Sequence, residues 1–542
     1  ANNGTTSQTI DYTVTGAVSS TAYFNRNTRT ITLAKGTGIS AVSATGGGIK
    51  STSGTTYTIY YGGTVSIDAT VNTASNYEWV NWTDTSGGSS FSTTKNYTFN
   101  SVTDNYSLTA NGEMAKIYMW NATSSDCGTT MWDNRDGTER SYTTAKIGSL
   151  CWMTKSLMLG KSTTTALTPS TSNVSSSGYT LPASSTSGFS SYTAQNIYVP
   201  ATTACSSSRA CYGYYTYAAA TAGSNPSSGV SSYDICPKGW RLPTQAEFNT
   251  LKSSYSTGAT LTASPWYGVY SGYYFSGFFY NGGSYGYYWS STANGSNLAY
   301  LLNFSSSSAS VGGGSGYKYS GFAVRCVMKN YMQDQTTDTL AALMPSNGST
   351  TTLYDKRDGN SYTIVKIGNL YWMKENLKIM GTVTAALSNF SGSDFNIEGG
   401  GSLTSGNTYT AARATLSTNS SYPGAYYNYC AASAGTVCTA SNSTNASSDI
   451  CPSGWRLPTN AEFGTIGTSS GSTTNVSAFG AIYSGYYYNG TLSDTGSYGA
   501  WWSSTAYGTT YRYSLDYGSG KLYSGSYYSR QYGNSIRCVK SS

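Results

Sequence analysis

"CPKGWRLPTQAEF" occupies Cys236–Phe248, and "CPSGWRLPTNAEF" occupies Cys451–Phe463. The phrase has a mechanical reading. Thr244 and Glu247 form S/T-x-x-E, a capping box in which the hydroxyl accepts an early helix N–H and the glutamate reaches back to the cap. Phe248 then falls at the fourth helical position, where it can pack against Pro243, and the helix runs on through Leu251. Thr459, Glu462 and Phe463 repeat the arrangement. Cys236 and Trp240 anchor the approach to this helix. A helix start of this kind builds a fold, and its return after 215 residues marks a second copy of that fold.

Outward from the phrase, the copies extend in both directions. The first runs from about Met114, through "RDGTERSYTTAKIGSLCWM", to Val327; the second runs from about Tyr331, through "RDGNSYTIVKIGNLYWM", to Val539. "SYTTAKIG" and "SYTIVKIG" alternate as half-buried strands after an Arg-Asp-Gly turn. "YSGYYFSGFFYNGGSYGYYWSST" and "YSGYYYNGTLSDTGSYGAWWSST" read as short aromatic strands broken by glycine and asparagine, which suits hairpins. Copies this long are domains rather than solenoid repeats.

The repeat also sorts the ten cysteines. Cys236 and Cys326 correspond to Cys451 and Cys538, so Cys236–Cys326 and Cys451–Cys538 are the expected bridges, each worth roughly 4–5 kcal/mol by loop-closure entropy. Cys127 and Cys151 are both absent from the second copy, as a Cys127–Cys151 bridge requires. Cys205–Cys211 and Cys430–Cys438 then close short local loops. That pairing leaves no free thiol and implies an oxidising, extracellular setting.

Residues before the first copy differ. "TVSIDATV" alternates with Val65, Ile67, Ala69 and Val71 on one side, and the stretch 29–113 reads as a small all-β module. Ahead of it, residues 1–28 form an extension holding one amphipathic strand, with Ile10, Tyr12 and Val14 on its apolar side. That strand either pairs within its own module or inserts into a neighbouring subunit as an added strand. The expected domains are therefore 1–28, 29–113, 114–330 and 331–542.

Composition narrows the function. Charged residues are 10% of the 542, with a net charge of +7, 52 tyrosines, 61 glycines and no histidine. The cations are unclustered, which argues against nucleic acid as a partner. No apolar run approaches the ~18 residues that cross a bilayer. Ala1 would suit the first residue after removal of a signal peptide. Without histidine, Ser-His-Asp and Cys-His catalysis are excluded in their usual forms. Glu247 and Glu462 are taken up as capping residues and Asp136 and Asp358 as turn residues, so no enzyme activity, cofactor or metal is expected. Asn-x-Ser/Thr at Asn3, Asn81, Asn96, Asn105, Asn121 and Asn489 offers glycan acceptors.

"RDG..YT..KIG...WM..NL", "CP.GWRLPT.AEF", "WSST" and a terminal "RCV" resemble the Fibrobacter succinogenes major paralogous domain (FISUMP) of bacterial surface proteins, over both copies. "RLPT.AEF" before a Trp-rich segment also looks like the wider C-type-lectin-like superfamily, which implies α+β domains with one or two short helices and twisted antiparallel strands. The module from about Thr30 to Gly112 resembles a divergent internalin B-type repeat. The implied fold class is a multidomain chain: an N-terminal all-β module followed by two α+β C-type-lectin-like domains rich in antiparallel β and loops. The calcium-lectin segments Glu-Pro-Asn, Gln-Pro-Asp and Trp-Asn-Asp are missing, so no sugar site carries over.

Two functions remain. One is a non-enzymatic extracellular subunit of a filament, fimbria-like appendage or surface layer that self-assembles into a polymer, with Ile10, Tyr12 and Val14 as the inter-subunit strand. The other is an adhesin that grips a glycan or a host or neighbour-cell protein through Tyr273, Tyr274, Tyr287, Tyr288 and Trp289 and their counterparts Tyr486, Tyr487, Tyr488, Trp501 and Trp502. Tyrosine beside Ser, Gly and Asn gives rigid contact area with adaptable hydrogen bonds.

Overall fold

The structure, a computed structural model, describes residues 26–541 apart from 76, 86–87, 201–211, 256, 306–308, 400–402, 404–410, 418 and 440–441. The strand carrying Ile10, Tyr12 and Val14 and the Cys205–Cys211 pair lie outside these residues. The chain divides after Lys116 into two compact units. The described residues are mostly β, arranged in several predominantly antiparallel sheets.

In the first unit, alternation becomes a shared core. Val65, Ile67 and Ala69 on the strand Val65–Val71 are buried, while Ser66, Asp68 and Thr70 face outward. That strand sits centrally in a three-stranded sheet, between Ile39–Thr45 and Tyr97–Phe99. A six-stranded sheet supplies the other side of the core through Ile31, Leu33, Trp82 and Leu108. Its strands Thr28–Lys35 and Tyr106–Met114 run parallel. The buried Trp82 indole donates to the Lys95 carbonyl at 2.9 Å, so its polar atom costs little to bury.

The second unit uses one plan twice. In its first half Thr130–Asp133, Arg140–Ile147, Leu150–Met153, Val327–Met328 and Trp240–Arg241 form a sheet in that order. In its second half Thr350–Tyr354, Ser361–Ile367, Leu370–Met373 and Val539–Ser541 do the same, with Arg456 bridged to Val539. Each half adds a three-stranded antiparallel sheet, Tyr285–Asn294 to Tyr317 and Tyr498–Tyr507 to Ser529. The capped helices are Gln245–Ser253 and Asn460–Ile466, and both have complete capping boxes. Phe248 and Phe463 are buried beneath them, stacked near Trp152 and Trp372 at 5.8 and 6.0 Å.

Helical content exceeds the one or two short helices expected per copy. The first half also contains Tyr217–Ala220 and Gly258–Leu261; the second adds Thr337–Leu343, Tyr429–Ala432 and Val476–Phe479. Thr337–Leu343 is capped by Thr336, whose hydroxyl accepts from the Thr339 N–H, and its Leu and Ala residues favour the helix once capped.

Disulfides join Cys127–Cys151, Cys236–Cys326, Cys430–Cys438 and Cys451–Cys538. No helix among the described residues is long and apolar enough to cross a membrane. Disulfides of this number fit an extracellular protein.

Candidate functional site

The repeated phrase is held by one carboxylate in each half. Asp234 accepts from the N–H groups of Cys236 and Leu242 at 2.9 and 3.0 Å and from the Asn173 amide at 2.9 Å. Asp449 accepts from Cys451, Leu457 and Asn389 at 3.0, 3.0 and 2.9 Å. Burial pushes the Asp234 carboxyl up, and pushes Asp449 up to about 6, against the pull of these donors. Trp240 and Trp455 lock the phrase to the start of their own halves, donating to the Met119 and Met332 carbonyls at 2.9 and 3.0 Å.

Glu247, Glu462, Asp136 and Asp358 are also engaged in this scaffold. Glu247 and Glu462 pair bidentately with Arg241 and Arg456 while accepting from the cap N–H groups of Thr244 and Thr459, each at 2.8 Å. Asp136 accepts from Arg140, from Thr138 N–H at 3.0 Å and from Gly160 N–H at 2.8 Å. Asp358 accepts from the Asn360 N–H at 2.9 Å. Among the described residues no three of His, Cys, Asp and Glu converge as metal ligands would.

Where the two halves meet, the first presents two cations and the second presents the ring of Tyr354. Lys329 Nζ lies 5.0 Å from the centroid of Tyr354 and the Arg241 guanidinium 5.7 Å from it. Lys329 also donates to Asn173 Oδ1 at 2.7 Å. Burial pulls its ammonium down to about 8, although the nearby Asp234 supports the charge. Burial likewise raises the Tyr354 phenol, with Arg241 opposing. Within the second half, Lys356 pairs with Asp334 at 2.5 Å and lies over the Tyr331 ring at 5.5 Å, beside the junction. A polar cavity of about 470 Å³ lined by Asn173, Arg241, Lys329, Tyr354 and Asp358 remains at this junction. Cation–ring contacts that lose water gain strength, so these hold the halves together.

The ten aromatic candidates fall into two classes. Tyr288, Trp289, Trp501 and Trp502 are fully buried, which removes them from any contact surface. Their polar atoms are satisfied inside: Trp289 donates to the Tyr215 carbonyl at 2.7 Å, Trp501 to Asn376 Oδ1 at 2.7 Å and Trp502 to the Tyr427 carbonyl at 2.6 Å. The Tyr288 hydroxyl lies 3.0 Å from the Val269 nitrogen and 3.2 Å from its carbonyl. Tyr273, Tyr274, Tyr287, Tyr486 and Tyr487 are half-buried, and Tyr488 is 51% exposed. Tyr274 is wedged against Tyr198 and Tyr214 at 4.8 and 4.9 Å, and burial lifts its phenol to about 12.

The most exposed ring, Phe278, and several of its neighbours are ones the sequence reading left out. The hairpin of Tyr273–Phe275 and Phe278–Tyr280 pairs Tyr273 with Tyr280 and Phe275 with Phe278. Phe278 is 67% exposed, and Phe279, Tyr280 and Tyr285 are also exposed. Stacking continues the surface from Tyr280 to Tyr273 at 5.4 Å, and from Phe275 through Tyr319 to Tyr317 at 5.3 and 5.0 Å. In the second half, Thr491–Ser493 replaces Phe278–Tyr280. Exposed rings there gather instead at Tyr507, Tyr511 and Tyr527, with Tyr507 stacked on Tyr527 at 4.3 Å.

A buried arginine in each half also escaped the sequence reading. The guanidinium of Arg325 lies 4.3 Å from the Trp266 ring and 5.1 Å from Tyr288. Arg537 lies 4.4 and 4.9 Å from Phe479 and Trp501 and donates to Gly480 O at 2.8 Å. Burial lowers the Arg537 group to about 9. The signal was the Arg shared by "VRCV" and "IRCV".

Residues 365–475, about a fifth of the chain, match the family described as the Fibrobacter succinogenes major domain (Fib_succ_major). No curated protein and no solved structure matches the chain.

Proposed function

We propose that the chain is a non-enzymatic, extracellular structural subunit of a bacterial surface filament, fimbria-like appendage or surface layer. The junction inside the second unit carries this reading: two similarly built, disulfide-bonded halves already stack with two cations of one on a ring of the next. A chain that joins its own domains in this way is a short segment of an array. The family match over residues 365–475 supports a surface location. The engaged carboxylates and the lack of histidine support the non-enzymatic part. The C-type-lectin-like ancestry of the two halves and the internalin-like ancestry of the first unit belong to the same proposal.

Electron microscopy of the purified chain, with and without residues 1–16, tests the reading. Polymers that disappear on deletion support assembly by the strand holding Ile10, Tyr12 and Val14; monomers in both samples overturn the subunit reading.

A second reading, adhesion, is favoured by one observation: the exposed Phe278–Tyr280 ridge. Ring faces of this kind stack on sugars and fill protein pockets. Glycan-array or cell binding lost in a Phe278→Ser, Tyr280→Ser variant supports it, and unchanged binding overturns it.

A further inference from the structure

The two halves differ on one face of the sheet that follows the Arg-Asp-Gly turn, and the difference leaves a cavity. In the second half a cross-strand row runs Lys366, Tyr371, Lys540. Tyr371 is fully buried there, with Lys366 Nζ 5.7 Å from its ring centroid. The same row in the first half runs Lys146, Cys151, Met328. Lys146 pairs with Cys151, and Met328 falls opposite Cys151 because its neighbour Val327 pairs with Trp152. Cys151 is bonded to Cys127, whose counterpart is Ser349. A disulfide thus stands where the second half carries a phenol ring, and it fills less space.

The helix Thr337–Leu343 closes over this row from the other side. It buries Leu340 in the core of the second half and turns Thr339 and Leu343 toward the first. Between helix and row lies a cavity of about 530 Å³, lined by Cys127, Lys146, Cys151, Met328, Thr339 and Leu343. Sites for small molecules commonly enclose about 300–1,000 Å³. The disulfide, Met328 and Leu343 make the lining largely apolar. Among the described residues the Lys146 ammonium has no hydrogen-bond or ion-pair partner. Asp334, the carboxylate in the wall, is neutralised by Lys356 at 2.5 Å. An apolar chamber with an uncompensated ammonium selects an apolar body carrying a negative charge.

We propose that this cavity binds a small aromatic carboxylate, with its ring against the Cys127–Cys151 bridge and Met328 and its charge on Lys146. The ring takes the place that Tyr371 fills in the second half, and the methionine sulfur favours a ring over an alkyl chain. The carboxylate supplies the partner that Lys146 lacks. The site is independent of the subunit reading, because it needs no contact between copies.

Calorimetric titration of the full chain with 2-naphthoate is the test, and a dissociation constant of about 1 mM or tighter is expected. Lys146→Met keeps the aliphatic reach, removes the charge and should weaken binding about tenfold. Uncharged 2-naphthamide should bind the native chain and this variant equally weakly. Ala342→Trp fills the cavity from an exposed helix position, touches neither the disulfide nor Lys146, and should abolish binding. The Cys127→Ser, Cys151→Tyr double variant gives the first half the residues of the second and should abolish it too. Ala342→Trp keeps the test valid if loss of the bridge unfolds that half. Absence of binding at about 10 mM, or binding unchanged in both Lys146→Met and Ala342→Trp, overturns the proposal. Naphthamide that binds the native chain as tightly as the acid overturns the role of Lys146, and cyclohexanecarboxylate that matches 2-naphthoate overturns the choice of a ring.

Discussion

Asp516 should make the second half lose stability as pH rises, opposite to ordinary acid denaturation. The residue is 2% exposed on the strand Tyr511–Gly518. Its carboxyl accepts from the Tyr498 hydroxyl and from Ser514 Oγ, the latter at 2.8 Å. Burial pushes it up from 3.8 to about 6, and these neutral donors only partly oppose that. A carboxyl whose folded value exceeds its unfolded value contributes stability that is complete below the unfolded value and is lost as pH climbs through the folded one. The window is therefore about pH 4 to 6, and the loss is about 3 kcal/mol. Asp516→Asn keeps an acceptor for Tyr498 and removes the ionisation. The assay is amide hydrogen exchange in the strands Tyr498–Tyr507 and Tyr511–Gly518, which isolates this half from the rest of the chain. Between about pH 3.5 and 7.5, protection in the variant relative to the native chain should rise about 100-fold, after correction for intrinsic exchange. Asp449, also raised to about 6, contributes equally to both proteins and cancels. Native and variant protections that stay in constant ratio across that window would refute the reasoning.

Thr244→Ala and Thr459→Ala each remove the hydroxyl that accepts a helix N–H at 3.2 Å, and each should cost about 1 kcal/mol, seen as faster exchange in Gln245–Ser253 or Asn460–Ile466. Replacing Cys236 and Cys326 by serine opens a 90-residue loop and should lower the stability of the first half by about 4–5 kcal/mol, measured by denaturant unfolding; reductant, which also opens Cys127–Cys151, should lower that of the native chain further.

How much of this could be read beforehand depended on distance along the chain. The capping boxes are local: Thr244 and Glu247 sit three residues apart, so their geometry follows from the sequence spacing alone. The alternation in "TVSIDATV" is local too, and it gives the buried side of the strand directly. The aromatic blocks are a different problem. "YYFSGFFYNGGSYGYYW" supplies more rings than any sheet can bury, and which ones go inside depends on partners far away. Trp289 is interior because the Tyr215 carbonyl, 74 residues earlier, takes its indole N–H. Phe278 is exposed because it lies on the outer strand of a two-residue-turn hairpin that no layer of the described residues covers, although its composition reads as core. The arginines of "VRCV" and "IRCV" fail for the same reason. A buried guanidinium is tolerable only where carbonyls and ring faces converge, and Trp266, Phe479 and their carbonyls lie 59 and 58 residues away in the chain.

The recurrence of the phrase then acquires a second explanation beside helix capping. Its arginine does two things at once: it satisfies the capping glutamate, and its outer face becomes the platform on which a ring from the next domain rests. Because the cap fixes the guanidinium in both halves, the platform is pre-organised whether or not it is occupied, and docking loses little side-chain entropy. The copies diverge only one step along the last strand. Lys329 reaches the ring at the internal junction, whereas Ser541 stands in its place and the charge moves to Lys540, at the position of the buried Met328. Successive residues of a strand face opposite sides, so Lys540 lies on the side where the first half carries the buried Met328.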